Sequence, residues 1–162
     1  MKKVLIPGTF DPITRGHMDL IRRAAVAYDE VTVGIFVNPD KTCFFSREER
    51  EELIRLATMH IPHIHVITSD GYTADYAREG EYAAIIRGYR NESDLAYETR
   101  MAAYNRERGG VNTILWETPA DLASVSSSAV RKRLSEGKDV SDLVPPEILE
   151  TLSGLMRERN TR

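Results

Sequence analysis

The fold of this chain is indicated most clearly by the stretch Pro7-Gly8-Thr9-Phe10-Asp11-Pro12-Ile13-Thr14-Arg15-Gly16-His17. It follows a short apolar run at 4–6, which predicts a buried strand, and it precedes a helical pattern at 18–25. Glycines let the backbone approach an anion closely, and a helix N-terminus presents free N–H groups and a positive dipole end. Thr9, Thr14 and His17 add side-chain donors at the same place. The segment therefore predicts a strand, a phosphate-binding turn and a helix.

Apolar, β-branched runs recur along the chain and alternate with helical patterns. They predict five strands, at 4–6, 31–37, 64–67, 83–86 and 113–116. This alternation indicates an α/β fold with a doubly wound, five-stranded parallel sheet and C-terminal helices, in a single domain over 1–162. Ligands bind beyond the carboxyl ends of the strands in such sheets. The loops expected there are 8–17, 38–45, 71–73, 87–90 and 119–128.

The helical segments have recognisable ends. Ser46 and Glu49 form a capping-box pattern, with Ser46 as the N-cap. Gly137 is expected to end a helix over 127–136, and Pro145-Pro146 to open a last helix that runs to about Arg157. Two more helices are predicted at 73–79 and 94–106.

Composition narrows the functional classes. The 162 residues are 41% hydrophobic and 29% charged, which is ordinary for a soluble globular protein. The formal net charge of −3 offers no basic footprint for nucleic acid, so we expect no nucleic-acid partner. The sequence has neither a membrane-length apolar run nor a signal-peptide pattern, so no membrane partner is expected. Cys43 is the only cysteine, which excludes an intrachain disulfide and favours the cytoplasm.

Thr14-x-Gly16-His17 resembles the T/HxGH motif of the nucleotidylyltransferase superfamily, and the whole segment 7–17 resembles the phosphopantetheine adenylyltransferases. The resemblance extends from Lys3 to about Ile148 and implies a Rossmann-like fold. It implies that ATP and 4′-phosphopantetheine react to give dephospho-coenzyme A and pyrophosphate, with Mg²⁺ as cofactor. The family also suggests a homohexamer. A phosphate monoester is mostly a dianion at neutral pH, so this reaction needs no general base.

The family motifs map onto specific residues of this chain. By resemblance the catalytic side chains are His17, Lys41 and Arg90. We expect His17 to be a neutral donor, because a helix N-terminus disfavours imidazolium. ATP contacts are implied for Thr9, Phe10, His17, Gly88, Tyr89, Arg90, Glu98, Leu122, Ala123, Ser124, Val125, Ser126, Ser127 and Ser128. Contacts to the acceptor substrate are implied for Thr9, Lys41, Thr73 and Arg87. No carboxylate cage is apparent, so Mg²⁺ is expected on triphosphate oxygens and water, with no protein metal site.

Some of these side chains also have simpler explanations. Arg87 and Arg90 could form ion pairs with Glu92 or Asp94, although the arginine fork also matches phosphate oxygens. The pair Arg22-Arg23 is interpreted as part of a solvated helix face.

The chain departs from the family pattern before its serine-rich motif. Leu122 and Ser124 stand where relatives usually have aromatic residues. We therefore expect adenine to be held mainly by backbone groups before Ser126. The histidines in 60–65 resemble a metal motif, but no second ligand cluster accompanies them, so a structural role is favoured.

Two alternative functions remain open from the sequence. One is a sister nucleotidylyltransferase with another acceptor, such as nicotinamide mononucleotide or glycerol 3-phosphate; the motif at 87–90 and the Lys41 loop argue against it. The other is a non-catalytic nucleotide-binding relative, which would be expected to have lost His17 or the basic residues.

Overall fold

A computed structural model describes residues 1–37 and 40–161. Its strands are β1 (Lys3–Gly8), β2 (Glu30–Phe36), β3 (Ile64–Ser69), β4 (Ala84–Tyr89) and β5 (Thr113–Glu117). They form one parallel sheet in the order β3-β2-β1-β4-β5. The chain therefore builds outward from β1 in one direction as far as β3 and then returns to the other side for β4 and β5.

The first four helices connect successive strands, and the last two follow β5. They are α1 (Arg15–Ala27), α2 (Arg47–Thr58), α3 (Thr73–Glu79), α4 (Glu92–Gly109), α5 (Ser127–Ser135) and α6 (Leu149–Asn160). Two 3₁₀ turns, Ala120–Leu122 and Pro146–Ile148, precede α5 and α6. No helix in the described part of the chain is long and apolar enough to cross a membrane.

The sheet is buried on both faces, as β1 shows. Val4 and Ile6 belong to a large apolar cluster that includes Ile21 of α1. The intervening Leu5 points to the opposite face and joins a second cluster with Ala77 of α3. Successive strand residues face opposite sides, so helices must cover both faces to bury this continuous apolar run. The predicted doubly wound parallel sheet is confirmed.

The predicted helix ends agree with the structure at Ser46 and near Gly137, but α4 begins at Glu92 and ends at Gly109 instead of spanning 94–106, and the last helix also differs. Ser46 and Glu49 form both hydrogen bonds of the capping box, and Gly137 has the left-handed φ of +69° expected after a helix. The last helix opens with a 3₁₀ turn and continues to Asn160, beyond the predicted end near 157. In the extended part of the helix, the guanidinium carbon of Arg159 lies 4.2 Å from the centroid of the Phe44 ring.

Candidate active site

A cavity of about 390 Å³ opens beyond the carboxyl ends of β1 and β4. This is where the strand order reverses, and crevices at such points are the usual ligand sites of open α/β sheets. The cavity is lined by twelve of the residues expected at the site: Thr9, Phe10, His17, Lys41, Arg87, Gly88, Arg90, Glu98, Val125, Ser126, Ser127 and Ser128. Five others do not line it: Thr73, Tyr89, Leu122, Ala123 and Ser124. Thr73 is the first residue of α3, and 122–124 belong to the turn before α5.

His17 is held at the start of α1 by a reciprocal cap. The Thr14 side chain accepts from the His17 N–H at 3.3 Å, and His17 Nδ1 accepts from the Thr14 N–H at 3.0 Å. An accepting Nδ1 places the ring proton of the neutral imidazole on Nε2. Burial and the charges of Arg87 and Arg90 lower the pKa of His17 from 6.5 to about 4. The ring is therefore neutral at physiological pH, as expected, although desolvation rather than the helix dipole is the main cause.

Lys41 reaches the phosphate-binding turn from the loop after β2. Its Nζ lies 3.4 Å from Thr9 Oγ1. The loop is fastened to the turn by Asp11, whose carboxylate accepts from the N–H groups of Phe44 at 2.7 Å and Phe45 at 2.9 Å. The first two residues of the predicted loop 38–45 lie outside the described residues. This fastening brings side chains from two separate strand ends to the same edge of the cavity.

Arg87 is fixed by a buried partner. Its guanidinium donates to both carboxylate oxygens of Glu98, at 3.0 and 2.7 Å, and to the Pro7 carbonyl at 2.5 Å. Glu98 is only 5% exposed, so it is not a solvated helix residue. Since both of its oxygens already accept from Arg87, its clearest structural effect is to orient that guanidinium beneath the phosphate-binding turn.

Arg90 forms the ion pair that the sequence left open as an alternative. Its Nε and backbone N–H both donate to Asp94 Oδ2, at 2.9 and 3.1 Å. Within the described chain, neither terminal nitrogen of Arg90 has a hydrogen-bond partner. The pair therefore holds the stem of the side chain and leaves its terminal donors available to a ligand in the cavity.

The start of α5 is tied to the same turn. Ser126 caps the helix by accepting from the Ala129 N–H at 3.1 Å, and Ser127 Oγ donates to the Pro12 carbonyl at 2.7 Å. Arg131 donates to the Asp11 carbonyl at 2.8 Å. Two helix N-termini, those of α1 and α5, thus face one cavity, which is a favourable arrangement for a polyphosphate.

The sequence interpretation missed part of the lining. Arg23, which was assigned to a solvated face, instead lines the cavity, as do Asp19, Trp116 and Thr118. Its guanidinium donates to Asp19 at 3.2 Å and lies 4.9 Å from the Trp116 ring centroid. The four-residue spacing of Asp19 and Arg23 was the available signal, because it places both on one side of a helix.

The histidine-rich segment lies away from this cavity. His60 and His63 line a separate cavity of about 860 Å³ near the amino ends of β2 and β3. His65 Nε2 lies 3.8 Å from Glu30 Oε2. In the residues that the structure covers, no group of three or more His, Cys, Asp or Glu is placed to hold a metal ion.

Comparisons with known proteins agree with this geometry. Residues 5–133 match the family model described as "Cytidylyltransferase-like". A phosphopantetheine adenylyltransferase of Streptomyces coelicolor is 40% identical over 159 residues, covering 98% of this chain and 100% of the relative. One from Porphyromonas gingivalis is 44% identical over 147 residues, covering 90% and 96%. A solved structure, a putative nicotinate-nucleotide adenylyltransferase from Vibrio parahaemolyticus, has a TM-score of 0.64 at 19% identity, with 97% and 99% coverage. That last likeness concerns the fold alone.

Proposed function

Because this chain belongs to the phosphopantetheine adenylyltransferases of the cytidylyltransferase-like family, we propose that it transfers the adenylyl group of ATP to 4′-phosphopantetheine. The products are dephospho-coenzyme A and pyrophosphate, and the reaction belongs to coenzyme A biosynthesis. The observation that carries the proposal is a neutral His17 that faces the same cavity as Lys41, Arg87 and Arg90.

The chemistry requires positioning more than proton transfer. An oxygen of the acceptor phosphate attacks the α-phosphorus of ATP, and the bond from that phosphorus to the β-phosphate oxygen breaks. The attacking group is already a dianion at neutral pH, so no base has to remove a proton. Catalysis of phosphoryl-type transfer depends on alignment and on stabilising charge at the transferred group.

His17 is suited to that stabilisation. Its Nδ1 is engaged by the Thr14 N–H, so Nε2–H is the free donor of the ring. We assign this donor to an α-phosphate oxygen, where charge develops in the transition state. A fixed donor needs no reorganisation during the reaction, which is why such groups are effective. With a pKa of about 4, the ring keeps this donor role without exchanging a proton at neutral pH.

Each of the remaining polar side chains is assigned to one of the two substrates. Lys41 and Thr9, whose polar atoms lie 3.4 Å apart, orient the attacking phosphate. Arg87, which is held by Glu98 and the Pro7 carbonyl, is assigned to the acceptor side of the cavity. Arg90, the N-terminus of α5 and its serines bind the triphosphate and stabilise the departing pyrophosphate. Thr73 remains a proposed contact for the pantetheine arm, which would have to extend beyond the cavity.

The residues of this site fit a Mg²⁺ ion that is bound by ATP rather than one that is bound by protein ligands. The cavity carboxylates are engaged: Asp11 by backbone N–H groups, Asp19 by Arg23, Asp94 by Arg90 and Glu98 by Arg87. We therefore propose that triphosphate oxygens and water hold the ion. When bound, Mg²⁺ neutralises phosphate charge and assists the leaving pyrophosphate.

We further propose a homohexameric assembly in the cytoplasm. Tyr97, Met101 and Tyr104 leave an exposed apolar strip along α4, and Tyr72 is also exposed. Such strips are common at interfaces between subunits. Light scattering should give six times the chain mass of 18.3 kDa, and a monomer at assay concentrations would contradict the assembly.

One experiment tests the reaction directly. The protein is incubated with MgATP and, separately, with 4′-phosphopantetheine, nicotinamide mononucleotide or glycerol 3-phosphate, and pyrophosphate release is followed. We expect release only with 4′-phosphopantetheine, with dephospho-coenzyme A identified by mass spectrometry. Preference for another acceptor would refute the proposed substrate, and no release with any acceptor would refute the activity.

A further inference from the structure

Alternate carbonyl groups of the phosphate-binding turn are held by arginines that come from other elements. Arg87 of β4 donates to the Pro7 carbonyl, and Arg131 of α5 donates to the Asp11 carbonyl at 2.8 Å. A carbonyl oxygen carries partial negative charge, so it repels a phosphate group that it faces. These hydrogen bonds direct the two carbonyls to guanidinium groups, which leaves the backbone N–H groups of the turn to bind an anion.

Arg50 of α2 holds the carbonyl that lies between these two in the sequence. Its Nη1 donates to the Thr9 carbonyl at 2.9 Å, and its Nε donates to the Phe45 carbonyl at 3.2 Å. Arg50 is only 6% exposed and is not part of the cavity lining. In the part of the chain that the structure describes, its guanidinium has no carboxylate within ion-pair distance. A buried cation without an ion-pair partner depends on its other hydrogen bonds, so the two carbonyl bonds hold Arg50 firmly against Thr9.

Phe10, the residue after Thr9, adopts a backbone conformation that needs support. Its φ of +50° lies in the left-handed region, which bulky residues rarely adopt. Its buried ring folds over Gly8, where an added Cβ would lie 2.9 Å from Phe10 Cε2. Conformations of this kind persist only where surrounding contacts maintain them. The Arg50 hydrogen bond is one such contact, because the Thr9 carbonyl and the Phe10 N–H belong to the same peptide plane.

The Phe10 N–H is an unused donor beside the cavity. The peptide between Thr9 and Phe10 is trans, so its N–H points away from its carbonyl. The carbonyl is directed at Arg50, outside the lining, whereas Phe10 itself lines the cavity. Among residues 1–37 and 40–161, no acceptor is hydrogen-bonded to this N–H. Backbone N–H groups around a left-handed residue commonly form anion-binding sites.

We propose that Arg50 is a positioning residue, which keeps the peptide between Thr9 and Phe10 oriented with its N–H available to a phosphate group of ATP. The inference rests on the proposed function, because it assumes that ATP binds in this cavity. Without the Arg50 bond, rotation of the peptide relieves the left-handed φ of Phe10 and turns the Thr9 carbonyl towards the phosphate. A donor is then replaced by a repelling oxygen. A residue of α2 that contacts no substrate thus controls the affinity of the turn for phosphate.

Arg50→Gln separates the two hydrogen bonds of this side chain. The glutamine Nε2 is as many bonds from Cα as the arginine Nε, so it can keep the bond to Phe45, but no atom replaces Nη1 at Thr9. In calorimetry, MgATP and magnesium tripolyphosphate should each bind at least ~10-fold more weakly than to the wild type, as expected for one hydrogen bond to a charged group. In wild-type protein with isotopically labelled phenylalanine amides, tripolyphosphate should move the Phe10 amide proton downfield. Arg50→Gln should lose this shift.

Two variants serve as controls, and thermal melts establish that each is folded. Arg55→Gln is matched, because Arg55 lies on the same helix and donates to the Val66 carbonyl at 3.2 Å, outside the cavity. It should bind both ligands within ~2-fold of wild type, well below the effect of one hydrogen bond to a charged group. Arg50→Lys keeps a cation and a donor that can reach Thr9, so it should bind ATP more tightly than Arg50→Gln.

A merely structural role of Arg50 would lower the melting temperature of Arg50→Gln but leave its affinity for tripolyphosphate at the wild-type value. That result would overturn this inference alone. A Phe10 amide that does not respond to tripolyphosphate in the wild type would also overturn it, and this measurement does not depend on the folding of any variant. No binding of ATP to the wild-type protein would overturn the proposed function together with the inference.

Discussion

Replacement of His17 should separate its catalytic donor from its role in the helix cap. In His17→Ala we expect kcat to fall ~10²–10³-fold, about 2.7–4 kcal/mol, as for removal of one preorganised donor to a developing oxyanion. The substitution also breaks the reciprocal cap with Thr14. Loss of a cap costs about 0.5–2 kcal/mol of stability. ATP affinity should change little, because the donor acts mainly in the transition state.

His17→Glu is the matched control for this experiment. Glutamate at the third helical position can restore the bond to the Thr14 N–H, as in a normal capping box, but its carboxylate has no hydrogen to donate. It should therefore recover most of the melting temperature lost in His17→Ala while kcat stays low. The measurements are pyrophosphate release at saturating substrates, calorimetry with ATP and thermal melts. Recovery of kcat together with stability in His17→Glu, or a near-normal kcat in His17→Ala, would refute the donor role.

The shifted pKa of His17 gives a second test of the same environment. Its pKa is about 4 in the folded protein and 6.5 as the ordinary value, so the unfolded chain binds more protons between these pH values. Stability conferred by the neutral ring is therefore present above pH 6.5 and is lost as the pH falls towards 4. Urea denaturation over this range should show a steeper loss for wild type than for His17→Gln, whereas parallel curves would contradict the burial of a neutral ring.

Four further substitutions test separate parts of the site. Lys41→Ala should lower kcat more than it lowers ATP affinity. Arg90→Ala should lower the ATP affinity measured by calorimetry. Equal losses of ATP affinity in both variants would contradict the assignment of Lys41 to the acceptor and of Arg90 to ATP. Glu98→Gln should weaken the hydrogen bonds that position Arg87 and raise the KM for 4′-phosphopantetheine ~10-fold, since a charge-assisted bond is worth about 1.5–3 kcal/mol. An unchanged KM would argue against this positioning role. Leu122→Tyr should leave ATP binding unchanged or improve it by at most ~10-fold; a large loss would show that Leu122 already contacts the base.

The fold was predictable because its signals are local. The strand at 4–6 and its neighbours are apolar runs long enough to be buried on both faces, and Ser46 and Glu49 are three residues apart. The end of the last helix was not predictable in this way. The last turn of that helix carries Arg159, which contacts Phe44, a residue far away in the sequence.

The site was less predictable than the fold, because its chemistry depends on which charged side chains form ion pairs with one another. The motif gave the residue types at Arg87 and Arg90, and the sequence offered Asp94 as a possible partner, but the pairing of Arg87 with Glu98 follows from where α4 packs beside β4. These pairs hold the arginines in a cavity that must later accept a highly charged triphosphate. A carboxylate that engages only part of a guanidinium, as Asp94 does with Arg90 Nε, fixes its direction and leaves the terminal donors for phosphate. Sequence spacing therefore identifies the cations, whereas only the packed structure determines which of their N–H groups remain for the substrate.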